Sequence, residues 1–499
     1  MSGSAASAGH VKALRGDPRA LALLAEHAWA IAVWLAMAGW TVVLFSLVRG
    51  AYLDFRIGRF DLGNMVQAVW STTDGRPLEM THGSTGEQVV RLAVHVDPFL
   101  VLLAPLWVVW PSPLALAFAQ VAVTSLGALP VFWLARRHLD SDRAAGLLAF
   151  GYLAYPWIAV SAVGAIHPVT FAIPLFLFCV WFLDTGRLVP FALCTAVAMT
   201  TGELMGLPIA ALGIWYALAR GKRRTGGLIA IAGLAWSFVA VYFVVGHFAG
   251  KSSMYYGFYD QVGGSPQGVI RMLFTDPVTV LRALVEGHDI VYLVWLGLPL
   301  LFLFVLSPGL ALVGLPQVLA NTISDFRSMS DPRYHSIAAV APFLVAATVF
   351  GIARLRSQQV LAAAGVLTVS VTLALVVGPW PRALGMVPLG SNANLPAEKR
   401  EALRDAVALV PRGAPVTSSN VVGAHLSARR YVYSVPVLGR AEWAVVDTEE
   451  SWVTRPGSPI LTNHPEIVAA FVRRLREHAG WRLVFERDGV LVLRKGRQS

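Results

Sequence analysis

Long apolar runs separated by short polar hinges set the rhythm of this chain. Residues 27 to 48 form the first run long enough to span a hydrocarbon core. No short apolar region with a small-residue cleavage site precedes it, so it reads as an uncleaved anchor. Ten further spans are predicted near residues 113–135, 144–162, 168–183, 189–200, 206–219, 225–247, 289–306, 309–323, 334–353 and 359–380. The apolar stretch 98–110 has 13 residues before Pro111, which gives roughly 20 Å of helix against a core of about 30 Å. It is expected to lie in the interface or re-enter, not to cross.

The pattern changes near residue 385, where charges return, apolar runs shorten, and Pro388, Gly390, Ser391 and Asn392 read as a linker. Beyond it a helix is predicted over 396–409 and strands over 415–418, 430–435 and 443–447. A helix over 464–479 then leads into a closing hairpin, 481–487 and 489–494, that turns at Asp488-Gly489. The expected fold class is therefore mainly α: a polytopic helical membrane protein of about eleven transmembrane helices with a small C-terminal α/β domain. Its expected parts are a cytoplasmic N-terminus (1–26), a transmembrane domain (27–384) and an extracytoplasmic domain (385–499). The transmembrane part carries a large outer loop (49–97) and the interfacial helix (98–110), and the last domain is expected to cap or shape the site.

Composition supports the membrane reading, since 56% of residues are hydrophobic and only 14% charged, against roughly 25% in an average soluble chain. The net charge of +11 would suit nucleic acid if the basic residues formed a patch. They cluster instead in hinges between apolar runs, where the positive-inside rule puts them, so no nucleic-acid partner is expected. With the N-terminus inside, the inner segments hold 13 Lys and Arg in 51 residues and the outer ones 10 in 110. Counting 98–110 as a span would move Arg136-Arg137 and Arg220 to Arg224 outside, against that rule. Cys179 and Cys194 both lie in apolar segments, which argues against a disulfide framework or a Cys-ligated metal.

Nine candidate polar side chains fall at one set of helix ends. Asp61 follows the first span, His95 and Asp97 close the first outer loop, and His167, Glu203, His247, Asp331, Arg333 and His335 lie at other outer ends. A lone His there is ordinarily wetted by headgroups, but a carboxylate such as Glu203 at a hairpin tip between apolar runs needs a partner or a cavity. In the stretch 248–288, Tyr255, Tyr256 and Tyr259 stand beside Gly257, Gly263 and Gly264. Such aromatics suit sugar stacking or a lid, and equally simple interfacial anchoring.

Several motifs carry a resemblance. Phe60-Asp61-Leu62-Gly63 with Gln67 and Trp70, His95-Val96-Asp97-Pro98, Pro111-Ser112-Pro113-Leu114 and Leu134-Ala135-Arg136-Arg137 resemble a family of multi-pass bacterial and archaeal membrane proteins of unknown function. His167-Pro168, Thr201-Gly202-Glu203 and Arg333-Tyr334-His335 extend the likeness over most of residues 50–355. That family is similar to the GT-C class of glycosyltransferases. The resemblance implies an enzyme of the bacterial plasma membrane that takes a sugar from a polyprenyl-phosphate donor on the outer face. A glycan, lipid or protein of the envelope would accept it, and membrane lipids would be partners.

In the GT-C class an Asp just beyond the first span is catalytic, and Asp61 holds the matching place. Glycosyl transfer needs a base for the acceptor hydroxyl and positive charge for the departing phosphate. Asp61 is the candidate base. Arg333 and His335 are candidates for the phosphate, since a guanidinium offers paired donors to phosphoryl oxygens. His167, Glu203, Tyr255, Tyr256 and Tyr259 complete the candidate binding set. His95 and Asp97, with Glu203, are the candidate ligands for a divalent ion such as Mg or Mn. Val66 stands where the resemblance implies a second acid, and Gly202-Glu203-Leu204 where it implies Lys-Glu-Asp. Two rival readings stay open: a transporter or flippase of a lipid-linked or polar solute, and a non-catalytic envelope-assembly subunit.

Overall fold

The computed structural model describes residues 18–250, 254–284, 287–383, 395–454, 461–477 and 480–496, apart from a few side chains, those of Asp61, Tyr255 and Tyr256 among them. The expected linker residues Pro388, Gly390, Ser391 and Asn392 lie outside this set. Among the described residues, four helices are long and apolar enough to cross a membrane: His27–Leu53, Pro113–His138, Arg223–Ala249 and Ala341–Val376. The count is six if each of two bent pairs, Asp142–Ala154 with Pro156–Val163 and Pro277–Ala283 with His288–Leu300, is one span. Pro98–Val109, Pro168–Asp184, Leu188–Met199 and Gly206–Ala219 are apolar but shorter.

Local chemistry explains where these helices start and bend. Ser112 accepts from the Leu114 N–H ahead of Pro113, and Ser141 accepts from the Ala144 N–H, each satisfying a donor that the first turn leaves free. Pro156, which lacks an N–H, sits at a 47° bend. The run predicted as one span over 289–306 is broken. After Gly287–Gly297 and Leu298–Leu300, the residues Leu301 and Phe302 adopt φ of 52° and 55°. The turn folds the Phe302 ring onto Gly297, where a Cβ would sit 2.3 Å from it. The stretch 248–288, whose tyrosines and glycines suit a lid, contains the helices Pro266–Thr275 and Pro277–Ala283. Ser265 and Asp276 cap them through the Gly268 and Thr279 N–H groups, an N-cap followed by proline in both cases.

Among the described residues, helices Gly206–Ala219 and Arg223–Phe238 pack closely along a glycine seam. A Cβ on Gly206 would fall 2.1 Å from the Gly233 carbonyl oxygen and one on Gly226 2.5 Å from that of Gly213. Two glycines seven apart on each helix make this seam, the small-residue contact that lets backbones approach inside a membrane. At the end of the bundle near residues 137–138, 184 and 220, the buried Asp184 carboxylate binds Arg137, His138 and Arg220.

A short hairpin, β1 (Glu79–Thr81) with β2 (Gln88–Val90), lies in the first loop. The C-terminal region adds β3 (Val416–Ser418), β4 (Val432–Ser434), β5 (Trp443–Asp447), β6 (Trp452–Thr454), β7 (Leu461–Asn463), β8 (Trp481–Arg487) and β9 (Val490–Lys495). The five-stranded sheet has the order β4-β3-β5-β9-β8, with β4, β3 and β5 parallel and β9 and β8 antiparallel. Helix Ala397–Leu409 covers one face through Ala402, Leu403 and Ala406. Helix Pro465–Glu477 covers the other through Val468, Phe471 and Leu475. The β8–β9 turn is at Asp488-Gly489, with φ of 49° and 73°, the left-handed pair that a two-residue hairpin requires.

Candidate active site

The first loop is built to hold polar side chains at fixed points over the helical bundle. A π-helical turn, Arg59–Gly63, carries Asp61 and leads into helix Asn64–Thr73. β2 then delivers Arg91, whose carbonyl accepts the Val94 and His95 N–H groups, so that His95 lies one turn beyond it. Arg91 forms a buried, forked pair with Asp97, with Nε and Nη2 2.9 to 3.2 Å from the carboxylate oxygens.

The hairpin tip at 200–205 meets this loop. Thr200 accepts from the Phe99 N–H, and Gly202 from the Trp236 indole N–H. So held, Glu203 places one oxygen 3.2 Å from His95 Nδ1 and the other 3.2 Å from the Val96 N–H. Burial alone would push the Glu203 carboxyl up. The charge and hydrogen bond of His95, with backbone donors, instead hold it down at about 2.

Gln120 fixes the third corner. Its amide donates to the Ser161, Ala162 and Ala165 carbonyls, and its oxygen accepts from the His167 N–H at 2.9 Å. The His167 ring stacks on His335 with centroids 3.8 Å apart, and Tyr334 lies 4.1 Å from the other imidazole. Burial first, then the charges of Arg91 and His95, pull the His167 imidazole down to about 3. The ring is therefore neutral near pH 7.

These groups surround a cavity of about 770 Å³. His95, Asp97, His167, Glu203, Tyr259 and His335, all named from sequence, line it. Its other walls are largely apolar, with Met65, Met80, Val241, Val245, Ile270 and Phe326 among them. Phe60 and Asn64, on either side of the π-helical residues 61–63, also face the cavity. The side chains of Asp61, Tyr255 and Tyr256 lie outside the described set.

Arg333 is elsewhere: it is 69% exposed, forks onto Asp331 and is not part of the lining. The cation at the cavity is Arg91, which sequence reasoning passed over. Its signal was there, a single basic residue inside the apolar run Val89-Val90-Arg91-Leu92-Ala93-Val94, six residues before an acid. The three metal candidates are not gathered as a ligand set. Asp97 is committed to Arg91, Glu203 to His95 and Val96, and no group of three His, Cys, Asp or Glu able to hold a metal occurs among the described residues.

Residues 51–492 match the family described as predicted membrane protein (DUF2079). The chain belongs to that family. No curated protein matches it. Among solved structures, ArnT from Cupriavidus metallidurans bound to undecaprenyl phosphate is similar over 94% of this chain and 98% of its own, with 14% identity and a TM-score of 0.51. The archaeal oligosaccharyltransferase AglB from Archaeoglobus fulgidus, in complex with an inhibitory peptide and a dolichol-phosphate, covers 92% of this DUF2079 chain and 74% of its own. Its identity is 13% and its TM-score 0.46. A structure of the Archaeoglobus fulgidus oligosaccharyltransferase with Zn and sulfate matches at 13% and 0.45, over 84% of this chain and 68% of its own. The likeness to ArnT establishes a shared fold along nearly the whole DUF2079 chain, the one that the GT-C resemblance implies.

Proposed function

We propose that this DUF2079 protein is a membrane glycosyltransferase that moves a sugar from a polyprenyl-phosphate donor to an envelope glycan, lipid or protein. The observation that carries the reading is the cavity itself, which joins Arg91 and the imidazoles of His95, His167 and His335 to apolar walls. A lipid-linked phosphate needs both: cationic and hydrogen-bonding groups for the phosphoryl oxygens and apolar surface for the chain. The fold shared with ArnT is consistent with it.

In this reading the helical region is the eleven-span domain, with the N-terminus inside and the cavity and C-terminal sheet outside. Asp61, on the π-helical turn that borders the cavity, takes the proton of the acceptor hydroxyl as the bond to the anomeric carbon forms. The bond to the phosphate oxygen breaks, and free prenyl phosphate departs toward Arg91, His95, His167 and His335. Tyr259, with Tyr255 and Tyr256, flanks the sugar. A divalent ion on His95, Asp97 and Glu203 would require the Arg91–Asp97 pair to open.

Purified protein supplied with a polyprenyl-phosphate sugar and an acceptor extract should release free prenyl phosphate. Solute passage across sealed proteoliposomes without any sugar transfer would replace the enzyme with the transporter.

A further inference from the structure

The π-helical turn that carries Asp61 does not cap itself. Its first N–H groups need acceptors from outside the turn, and the preceding Gly58 has no side chain to offer. The missing acceptor comes from 360 residues further along: Asn420 Oδ1 receives the Phe60 N–H at 2.9 Å. The approach is tight, because a Cβ on Gly58 would lie 2.1 Å from the Asn420 amide and one on Gly63 2.3 Å from Ser427 Oγ. On the same side of the turn the fully buried Arg59 donates from Nη1 to Ser434 Oγ and from Nη2 to the Thr81 carbonyl.

Three further contacts join the first loop to the sheet domain. Phe55 is part of the core formed by Ala402, Leu403, Val416 and Val445. The His425 ring stacks on Tyr52 and lies tilted against Phe55, each with centroids 4.1 Å apart, while Nε2 meets the Tyr52 carbonyl. Gln67, one helical turn past the π-helix, donates to the Arg429 and Arg430 carbonyls.

We infer that Asn420 is a positioning residue for the reaction: by capping the Phe60 N–H it holds the turn of Asp61 in its π-helical shape, and it makes the C-terminal sheet domain a working part of the transferase. The inference rests on the glycosyltransferase reading for its catalytic half only. Asn420→Leu removes the acceptor and Asn420→Asp keeps it. Gly58→Ala presses on the same contact from the opposite side and replaces Asn420→Leu if that variant does not fold.

In hydrogen exchange on the full-length protein in detergent, residues 58–64 should lose protection by about tenfold or more in Asn420→Leu. Peptides of helices Pro113–Ser125 and Ala341–Ile352 should stay unchanged. With donor and acceptor, Asn420→Leu should lower kcat by about 10- to 100-fold, the scale of a small misplacement of a catalytic group. KM for the donor should stay within about twofold, and Asn420→Asp should restore most of both the protection and the rate. Unchanged exchange in Asn420→Leu, lost protection with an unaltered kcat, or an Asn420→Asp variant as impaired as Asn420→Leu would each overturn the inference. A wild-type protein that transfers no sugar would defeat the glycosyltransferase reading, and the exchange comparison would still decide whether Asn420 holds the turn.

Discussion

At the scale of single residues, the site is set by partners that the sequence places far apart. Asp61→Asn should preserve the fold and donor binding while lowering turnover by about 100-fold or more, the usual range for a positioned acid or base; turnover assays on the purified variant check it, and near-normal rates would remove Asp61 from the mechanism. His167 predicts a pH dependence. Its folded value of about 3 lies below the ordinary 6.5, so between those values the unfolded chain holds the additional proton. Its contribution is complete above about pH 6.5 and is lost as the pH falls toward 3. Glu203 acts in the same direction but lower, losing its contribution only as the pH falls from about 4.5 toward 2. Thermal melts from pH 7 to pH 4 should thus show a falling Tm, and His167→Gln should flatten that slope while leaving the Glu203 region below it.

At the scale of elements, helix starts were legible because short-range chemistry writes them. Ser112-Pro113, Ser141 and the Asp488-Gly489 turn are signals that act within four residues, and the structure has all three elements beginning or turning there. The same signals stand at Ser265-Pro266 and Asp276-Pro277, within the stretch whose tyrosines and glycines suit a lid, and each starts a helix there. The break at Leu301-Phe302 was not legible, since no proline or glycine stands at either position and the cause is the fit of Phe302 onto Gly297. The glycine seam gives a prediction of its own. Gly213→Leu forces a branched side chain against the backbone of Gly226 and Ala230, and should cost at least about 2 kcal/mol, as overpacking of a filled contact does. Gly227→Leu, with nothing within 4 Å of its Cβ, should be nearly neutral; denaturation of both variants in one detergent compares them directly.

For the whole molecule, the topology deduced from charge predicts opposite sides for two exposed positions. Arg143→Cys and Glu477→Cys, in a background lacking Cys179 and Cys194, should label differently in intact cells, Glu477→Cys from outside and Arg143→Cys only after permeabilisation. Equal external labelling would refute the N-in, C-out arrangement. Six of the residues singled out from sequence line one cavity, and the reading that grouped them rests on apolar length and positive charge. It could not tell Arg333 from Arg91, since whether a guanidinium turns inward depends on which acid reaches it first, Asp331 two residues away or Asp97 six residues on.

The Arg59 side chain also constrains when the molecule can become functional. Its Ser434 partner is 375 residues downstream, and at a synthesis rate of about 5 to 20 residues per second that partner emerges about 20 to 75 s later. Over that interval Nη1 lacks this acceptor, while Nη2 has the Thr81 carbonyl only 22 residues on. On the glycosyltransferase reading, a chain that ends before β4 is therefore expected to insert without transferring sugar, which an activity assay of such a truncation in membranes checks.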